Sequence, residues 1–147
     1  MKRLLPPTYL FLATATMVFL HWLLPLTTWL VYPWNLFGLI PLLTGIVLNL
    51  LADAALKKLN TTVKPFEASS TLITSGVYRV CRHPMYLGMV MILLGLAMLH
   101  GSVTPLLVVG VFGLLMEWVF VQPEEHKLAQ AFGETWRSYC HSVRKWL

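Results

Sequence analysis

The chain has 147 residues, of which 57% are apolar and only 12% are charged, and its mean hydropathy is +0.69. A soluble domain carries about twice that share of charged residues, so the composition excludes an ordinary soluble fold and leaves no room for a separate soluble catalytic domain. We therefore expect a single integral-membrane domain over residues 1–147. The net charge of +5 is explained below by topology and does not indicate a nucleic-acid partner.

Four apolar segments predict membrane-spanning helices. They cover about residues 8–24, 34–55, 84–99 and 103–121. Pro41 predicts a kink in the second helix. Beyond Pro123 the apolar residues recur at steps of three and four up to Val143, which predicts two short amphipathic helices broken at Gly133. The predicted fold is an all-α integral-membrane bundle of about four transmembrane helices, with the amphipathic C-terminal helices on the cytoplasmic face.

The distribution of basic residues predicts the orientation of these helices. Every Lys and Arg lies in the N-terminal tail, in the segment 57–82 or in the C-terminal tail, and neither connection on the opposite face contains one. The positive-inside rule then places both termini in the cytoplasm. We expect a multi-pass protein of a bacterial-type inner membrane, with its functional site on the cytoplasmic side. Cys81 and Cys140 would lie on that side as reduced thiols.

The segment 75–88 brings charged and aromatic side chains to the start of the third helix. Arg82 and His83 would stand at the water–lipid boundary, and Pro84 suits the first helical turn, where its missing N–H costs nothing. The remaining N–H groups of that turn carry partial positive charge, so this helix start suits an anion. The alternative is an ordinary helix boundary with cationic and aromatic anchors.

The acidic residues predict a partner for this basic segment. Glu117 lies within the fourth apolar segment, where a carboxylate should face a polar cavity or a cation such as Arg82 or Lys127. Glu124 and Glu125 alone would be an ordinary helix N-terminus. Lying on the same face as the Arg82-His83 pair, however, they indicate a pocket with opposite charges, which suits a zwitterion. His21, inside the first helix, is either functional or simply reaches the interface.

The pattern Gly76-x-Tyr78-x3-Arg82-His83-Pro84-x-Tyr86-x-Gly88-x6-Gly95, followed by Glu124-Glu125-x2-Leu128-x3-Phe132-Gly133, resembles the isoprenylcysteine carboxyl methyltransferase and phospholipid methyltransferase superfamily. The resemblance covers about residues 72–147. It implies a membrane enzyme that uses S-adenosylmethionine to methylate a lipid-like acceptor entering from the bilayer, such as a prenylcysteine carboxylate or a phospholipid amine. The residues implied for cofactor binding are Tyr78, Arg82, His83, Pro84, Tyr86, Leu87, Gly88, Gly95, Glu124 and Glu125.

Some roles within this resemblance stay open. His83 and Glu117 are the catalytic candidates, as a general base that is needed only if the acceptor must lose a proton. Gly88 and Gly95 share a helix face and could instead pack against another helix. Many members of the superfamily carry a basic residue just before the acidic pair, and this chain does not, so His126 or Arg79 are candidates to replace it. No metal is expected.

Two other functions fit parts of the pattern. The C-terminal half is also similar to membrane sterol reductases, which use NADPH, but an acidic pair disfavours a cofactor with several phosphates. The third hypothesis is a membrane scaffold without enzymatic activity.

Overall fold

The computed structural model describes residues 5–24, 26–58 and 72–146, and these residues form helices joined by short connections. The α-helices are α1 (Pro6–Leu23), α2 (Leu39–Lys58), α3 (Pro84–His100), α4 (Val103–Met116) and α5 (Gln122–Ser142). Short 3-10 helices precede α2 (Trp34–Gly38) and α3 (Gly76–Arg79), and a π-helical turn, Glu117–Val121, joins α4 to α5. This part of the chain contains no β-strand, only two isolated bridges, so the all-α prediction is confirmed for it.

Proline and glycine explain where the helices begin and bend. Pro41 lies in the first turn of α2, just after the helix changes from 3-10 to α geometry. The kink at Pro41 stays a prediction. Gly133 has φ 49° and ψ −114°, a conformation that favours glycine. The predicted break at Gly133 is therefore confirmed, because α5 consists of two helical segments that meet in a kink at this non-helical residue.

The π turn carries the chain past Pro123. In a regular α-helix the proline ring clashes with the carbonyl group four residues earlier. Here the N–H of Gln122 donates to the carbonyl oxygen of Glu117, five residues back, which widens the helix by one residue at this point. The helix consequently continues from α4 into α5.

Glycine contacts between antiparallel helices set the packing of α3. A Cβ atom placed on Gly95 would lie 2.5 Å from the carbonyl oxygen of Gly38, and one placed on Gly45 would lie 2.5 Å from that of Gly88. The backbone of α3 thus touches the 3-10 helix at Gly38 and α2 at Gly45, so the two contacts are seven residues apart on both sides. Packing through small residues is the common way in which membrane helices associate closely.

The outer surface of the bundle is apolar. Its core comprises one face each of α1, α3 and α4, while large apolar side chains such as Phe11, Trp22 and Trp118 are 70–82% exposed. Two helices, Trp34–Lys58 and Val103–Ser142, are long and apolar enough to cross a membrane, and α3 is a shorter apolar helix. Exposed apolar surface of this extent is typical of a surface that faces lipid. The number of spans stays a prediction, as does the single domain.

Candidate active site

The segment before α3 is held in place by the C-terminal residues. Cys81 forms an isolated parallel bridge with Arg144, and the backbone N–H of Arg82 donates to the carbonyl oxygen of Arg144 at 3.1 Å. The thiol of Cys81 is buried and contacts the carbonyl oxygen of Lys145 at 3.4 Å. The end of the chain therefore lies beside the start of α3. Cys81 and Cys140 are both free thiols, as the sequence predicts.

Arg82 and His83 meet Glu125 of α5. A terminal nitrogen of Arg82 lies 2.9 Å from Oε1 of Glu125, and Nε2 of His83 lies 3.2 Å from the same oxygen. Lys145 approaches the other oxygen, Oε2, at 2.9 Å. Partial burial alone would raise the pKa of Glu125, but the hydrogen bonds from His83 and Lys145 and the charge of Arg82 outweigh it and lower this pKa to about 2. Glu125 is therefore ionised at neutral pH.

Glu124 has a different environment. The hydroxyl of Tyr86 on α3 donates to Oε2 of Glu124 at 2.9 Å. Desolvation raises the pKa of Glu124 above the ordinary value, although the charge of His83 and the hydrogen bond from Tyr86 oppose this. The two neighbouring carboxyl groups thus have pKa values shifted in opposite directions, an arrangement that is frequent at functional sites.

Glu117, in the π turn, is bound by the C-terminal residues. Lys145 Nζ lies 2.9 Å from Oε1 of Glu117, and the indole N–H of Trp146 donates to Oε2 at 3.2 Å. Lys145 therefore bridges Glu117 and Glu125, which lie eight residues apart. The extra residue of the π turn accounts for this, because seven residues would bring Glu124 to this face of a regular α-helix. Arg82 is not the partner of Glu117, since it binds Glu125.

Aromatic side chains surround the charged groups. The guanidinium of Arg82 lies 5.6 Å from the ring centre of Trp136, within the range of a cation–π contact. The hydroxyl of Tyr139 donates to the carbonyl oxygen of Tyr78 at 2.6 Å, which ties α5 to the 3-10 helix before α3. The ring of Trp146 lies 6.4 Å from that of His83.

The structure brings together most of the residues that the sequence predicts for cofactor binding, but not all of them. One cluster contains Arg82, His83, Tyr86, Glu124 and Glu125. Tyr78 lies near this cluster: burial raises the pKa of Tyr78, and the negative charge of Glu124 raises it further. The remaining four predicted residues lie along α3 and have no polar side chain that could join the cluster: Pro84, Leu87, Gly88 and Gly95.

Gly88 and Gly95 do not line the charged cluster. Their Cα atoms face α2 and the 3-10 helix before it, where Gly45, Asn49 and Gly38 leave no space even for a methyl group. A ligand therefore cannot approach α3 at these positions. The sequence left helix packing open as their role, and these close contacts are those of helix packing.

Lys145 and Trp146 are the contacts that the sequence reasoning missed. The cation that contacts the acidic pair is Lys145, which binds Glu125, whereas His126 contacts Gln130 at 3.0 Å. A role of His126 or Arg79 in holding the acceptor or the cofactor carboxylate stays a prediction. The only signal in the sequence was the excess of basic residues near the C-terminus, which the positive-inside rule had already explained.

Comparison with known proteins identifies the family. The model of the phospholipid methyltransferase family matches residues 34–135, more than two thirds of the chain. The chain belongs to this family. The match confirms the resemblance seen in the sequence and, together with the apolar helices, indicates a membrane methyltransferase.

One characterised protein is similar to part of the chain. The cobalt-zinc-cadmium resistance protein CzcN of Cupriavidus metallidurans is 36% identical over 66 residues, which are 45% of this chain and 31% of that protein. The match therefore spans less than a third of the relative's length. No solved structure matches the chain significantly.

Proposed function

We propose that this family member is a multi-pass membrane methyltransferase that uses S-adenosylmethionine and methylates a lipid-like acceptor. The observation that supports this most strongly is the contact between the Arg82-His83 pair at the start of α3 and Glu125 on α5, at 2.9 and 3.2 Å. Both motifs that resemble the cofactor-binding motifs of the superfamily therefore meet at one place. Opposite charges close together suit the amino-acid end of S-adenosylmethionine, which carries one carboxylate and one ammonium.

The guanidinium of Arg82 supports the fit of such a cofactor. Its Nε is buried, and no hydrogen-bond partner for it is found within residues 5–24, 26–58 and 72–146. A buried donor without a partner costs about 1–3 kcal/mol, and a carboxylate bound beside Arg82 would remove this cost. NADPH would instead bring several phosphates close to three carboxylates, which is electrostatically unfavourable.

Each side chain of the cluster has a distinct task in this proposal. Arg82 binds the cofactor carboxylate, and Glu124 accepts hydrogen bonds from the ribose or the ammonium, held in position by Tyr86. Lys145 replaces the basic residue that many members of the superfamily carry before the acidic pair. The bound cofactor supplies a methyl group on a positively charged sulfur. The protein then mainly needs to hold donor and acceptor in line and away from water.

His83 is better placed than Glu117 to accept a proton from an amine acceptor. Ionised Glu125 can only accept a hydrogen bond, so Nε2 of His83 carries the proton in that contact. Nδ1 of His83 has no hydrogen-bond partner in the described part of the chain, so this atom would be the one to take up a proton. Both carboxylate oxygens of Glu117 are already bound. We assign Glu117 to positioning Lys145 and Trp146.

Charge and apolar surface support the proposed membrane setting. The basic residues of the described segments lie in the last turn of α2, before α3 or in the C-terminal part, which antiparallel packing puts at one end of the bundle. That end would face the cytoplasm of a bacterial-type inner membrane. The lipid-like acceptor would reach the site from the apolar outer surface. A prenylcysteine carboxylate and a phospholipid amine are the two acceptor classes to be tested.

Ligand-induced thermal stabilisation of the detergent-solubilised protein tests the cofactor. S-Adenosylhomocysteine should raise the melting temperature through linkage, and Arg82→Ala or Glu125→Gln should weaken that binding at least tenfold. Arg137→Ala and Glu134→Gln are matched controls, because that ion pair is 75% and 86% exposed. Stabilisation by NADPH would favour the reductase hypothesis, and no response to either ligand would favour the scaffold.

Incubation with a labelled methyl donor tests the acceptor. Purified protein is mixed with phospholipid vesicles or with a prenylcysteine analogue, and the products are separated by chromatography. Label in the phospholipid supports N-methylation, and base-labile label in the analogue supports carboxyl methylation. If neither acceptor is labelled by a protein that binds S-adenosylhomocysteine, the proposed acceptor class is wrong.

A further inference from the structure

A second polar cluster lies at the end of the bundle opposite the charged site. It joins the last turn of α1 to the connection between α3 and α4: Nδ1 of His21 lies 2.7 Å from Oγ of Ser102, and the rings of His21 and His100 have centres 4.8 Å apart. α3 has 17 residues, which is about 25 Å of helix. This cluster is therefore separate from the proposed cofactor pocket and has no part in the function proposed above.

The hydrogen bonds of the two histidines determine which nitrogen atoms are available. Nδ1 of His100 contacts the carbonyl oxygen of Leu96 at 2.7 Å. A carbonyl oxygen only accepts, so Nδ1 carries the proton, and Nε2 of the neutral ring has the lone pair. Nδ1 of His21 is likewise occupied by Ser102. Within the described residues neither Nε2 atom has a hydrogen-bond partner, and neither is a fully buried atom.

We propose that His21 and His100 together bind a divalent transition-metal ion such as Zn²⁺ through their Nε2 atoms. A metal-binding histidine usually donates its other N–H to a carbonyl or a similar acceptor, which fixes its tautomer and orientation. Nδ1 of His100 donates to a carbonyl in this way, and Nδ1 of His21 is hydrogen-bonded to the hydroxyl of Ser102, which can accept from it. Two imidazoles on one tetrahedral zinc ion, with Zn–N distances of about 2.1 Å, have ring centres about 5 Å apart. The separation of 4.8 Å matches this value.

Hydrogen bonds between the end of α1 and the start of α4 hold the surroundings of His21 and Ser102 in place. Thr104 donates to the carbonyl oxygen of Leu24 at 2.6 Å and accepts from the N–H of Leu26. Ser102 is 2% exposed, so the partner of His21 is also fixed. Two ligands whose positions are set by packing lose little conformational entropy when they bind an ion.

The site would be open on one side. No group of three or more His, Cys, Asp or Glu side chains suited to a metal is found among the described residues, so water would fill the remaining coordination positions. Neutral imidazole selects Zn²⁺, Cu²⁺ or Ni²⁺ over Mg²⁺ and Ca²⁺, which prefer oxygen ligands. The sequence predicts no metal, because its two cysteines show no paired ligand spacing, and His21 and His100 lie too far apart in the chain to form a recognisable motif.

Calorimetric titration of the untagged, detergent-solubilised chain with Zn²⁺ tests the proposal. We expect one ion per chain, and His21→Phe or His100→Phe, which keep an aromatic ring in the contact, should each weaken binding at least tenfold. His126→Phe and His141→Phe are the controls, because both side chains are exposed. Absence of binding, or binding that survives both test substitutions, would overturn the proposal.

A second measurement on the unmodified chain does not depend on the folding of the variants. Zn²⁺ should slow the acylation of His21 and His100 by diethylpyrocarbonate, read by mass spectrometry, and should leave the acylation of His126 and His141 unchanged. Mg²⁺ at the same concentration should protect none of them. Equal protection of all four histidines, or of none, would show that the two rings only pack against each other.

Discussion

The bridge formed by Lys145 gives the sharpest test of the site. Lys145→Met removes the ammonium that lies 2.9 Å from both Glu117 and Glu125. Each such contact between charged groups is worth about 1.5–3 kcal/mol when shielded from water. The Lys145 side chain is 30% exposed, so the lower part of that range applies. Because the two carboxylates keep other partners, we expect the free energy of unfolding to fall by about 2 kcal/mol in total.

The control for this prediction is Lys57→Met. Lys57 lies 2.6 Å from Asp53, but its side chain is 72% exposed, and an exposed pair of this kind contributes only about 0.3–0.5 kcal/mol. Reversible unfolding in mixed micelles measures both variants. If Lys145→Met costs no more than Lys57→Met, the bridge does not stabilise the protein, and the assignment of Lys145 as the replacement cation loses its basis.

Three further predictions concern packing and charge. Gly95→Ala should destabilise the protein by about 1–3 kcal/mol through overpacking, whereas Gly110→Ala, which faces open space, should be neutral or slightly stabilising; thermal unfolding measures both. Tyr139→Phe should cost about 1–2 kcal/mol in the same assay, because the hydroxyl that bonds the Tyr78 carbonyl is lost. The pKa of Glu125 is about 2, below the ordinary 4.5, so its stabilising contribution is complete above pH 4.5 and is lost as the pH falls to 2. Glu125→Gln should flatten that part of a pH titration of stability, and an unchanged profile would contradict the pKa shift.

The sequence located the two motifs of the site but not their full set of contacts. Arg82-His83 and Glu124-Glu125 are contiguous pairs next to apolar helices, so composition alone places them at a membrane boundary. The sequence alone could not show that Glu125, rather than Glu124, shares a cation with Glu117. That pairing follows from the one extra residue of the π turn, and a sequence read at 3.6 residues per turn gives no sign of it.

Long-range contacts were also outside the reach of the sequence. Lys145 and Trp146 bind residues twenty or more positions earlier, and their spacing repeats no motif. The roles of Gly88 and Gly95 were left open, because a glycine that admits a ligand and one that admits a helix look the same in a sequence. The structure distinguishes them, since Gly45 and Gly38 of the neighbouring helix occupy the space.

These glycine contacts also determine how far the start of α3 can move along the bundle axis. Sliding α3 by one residue along α2, about 1.5 Å, would bring a side chain against the backbone at both contact levels at once. Arg82 therefore keeps a constant height relative to α2, whatever the thickness of the surrounding lipid. A bilayer of a different thickness would have to tilt the helix pair as a unit, and the depth at which an acceptor meets the site would change with that tilt.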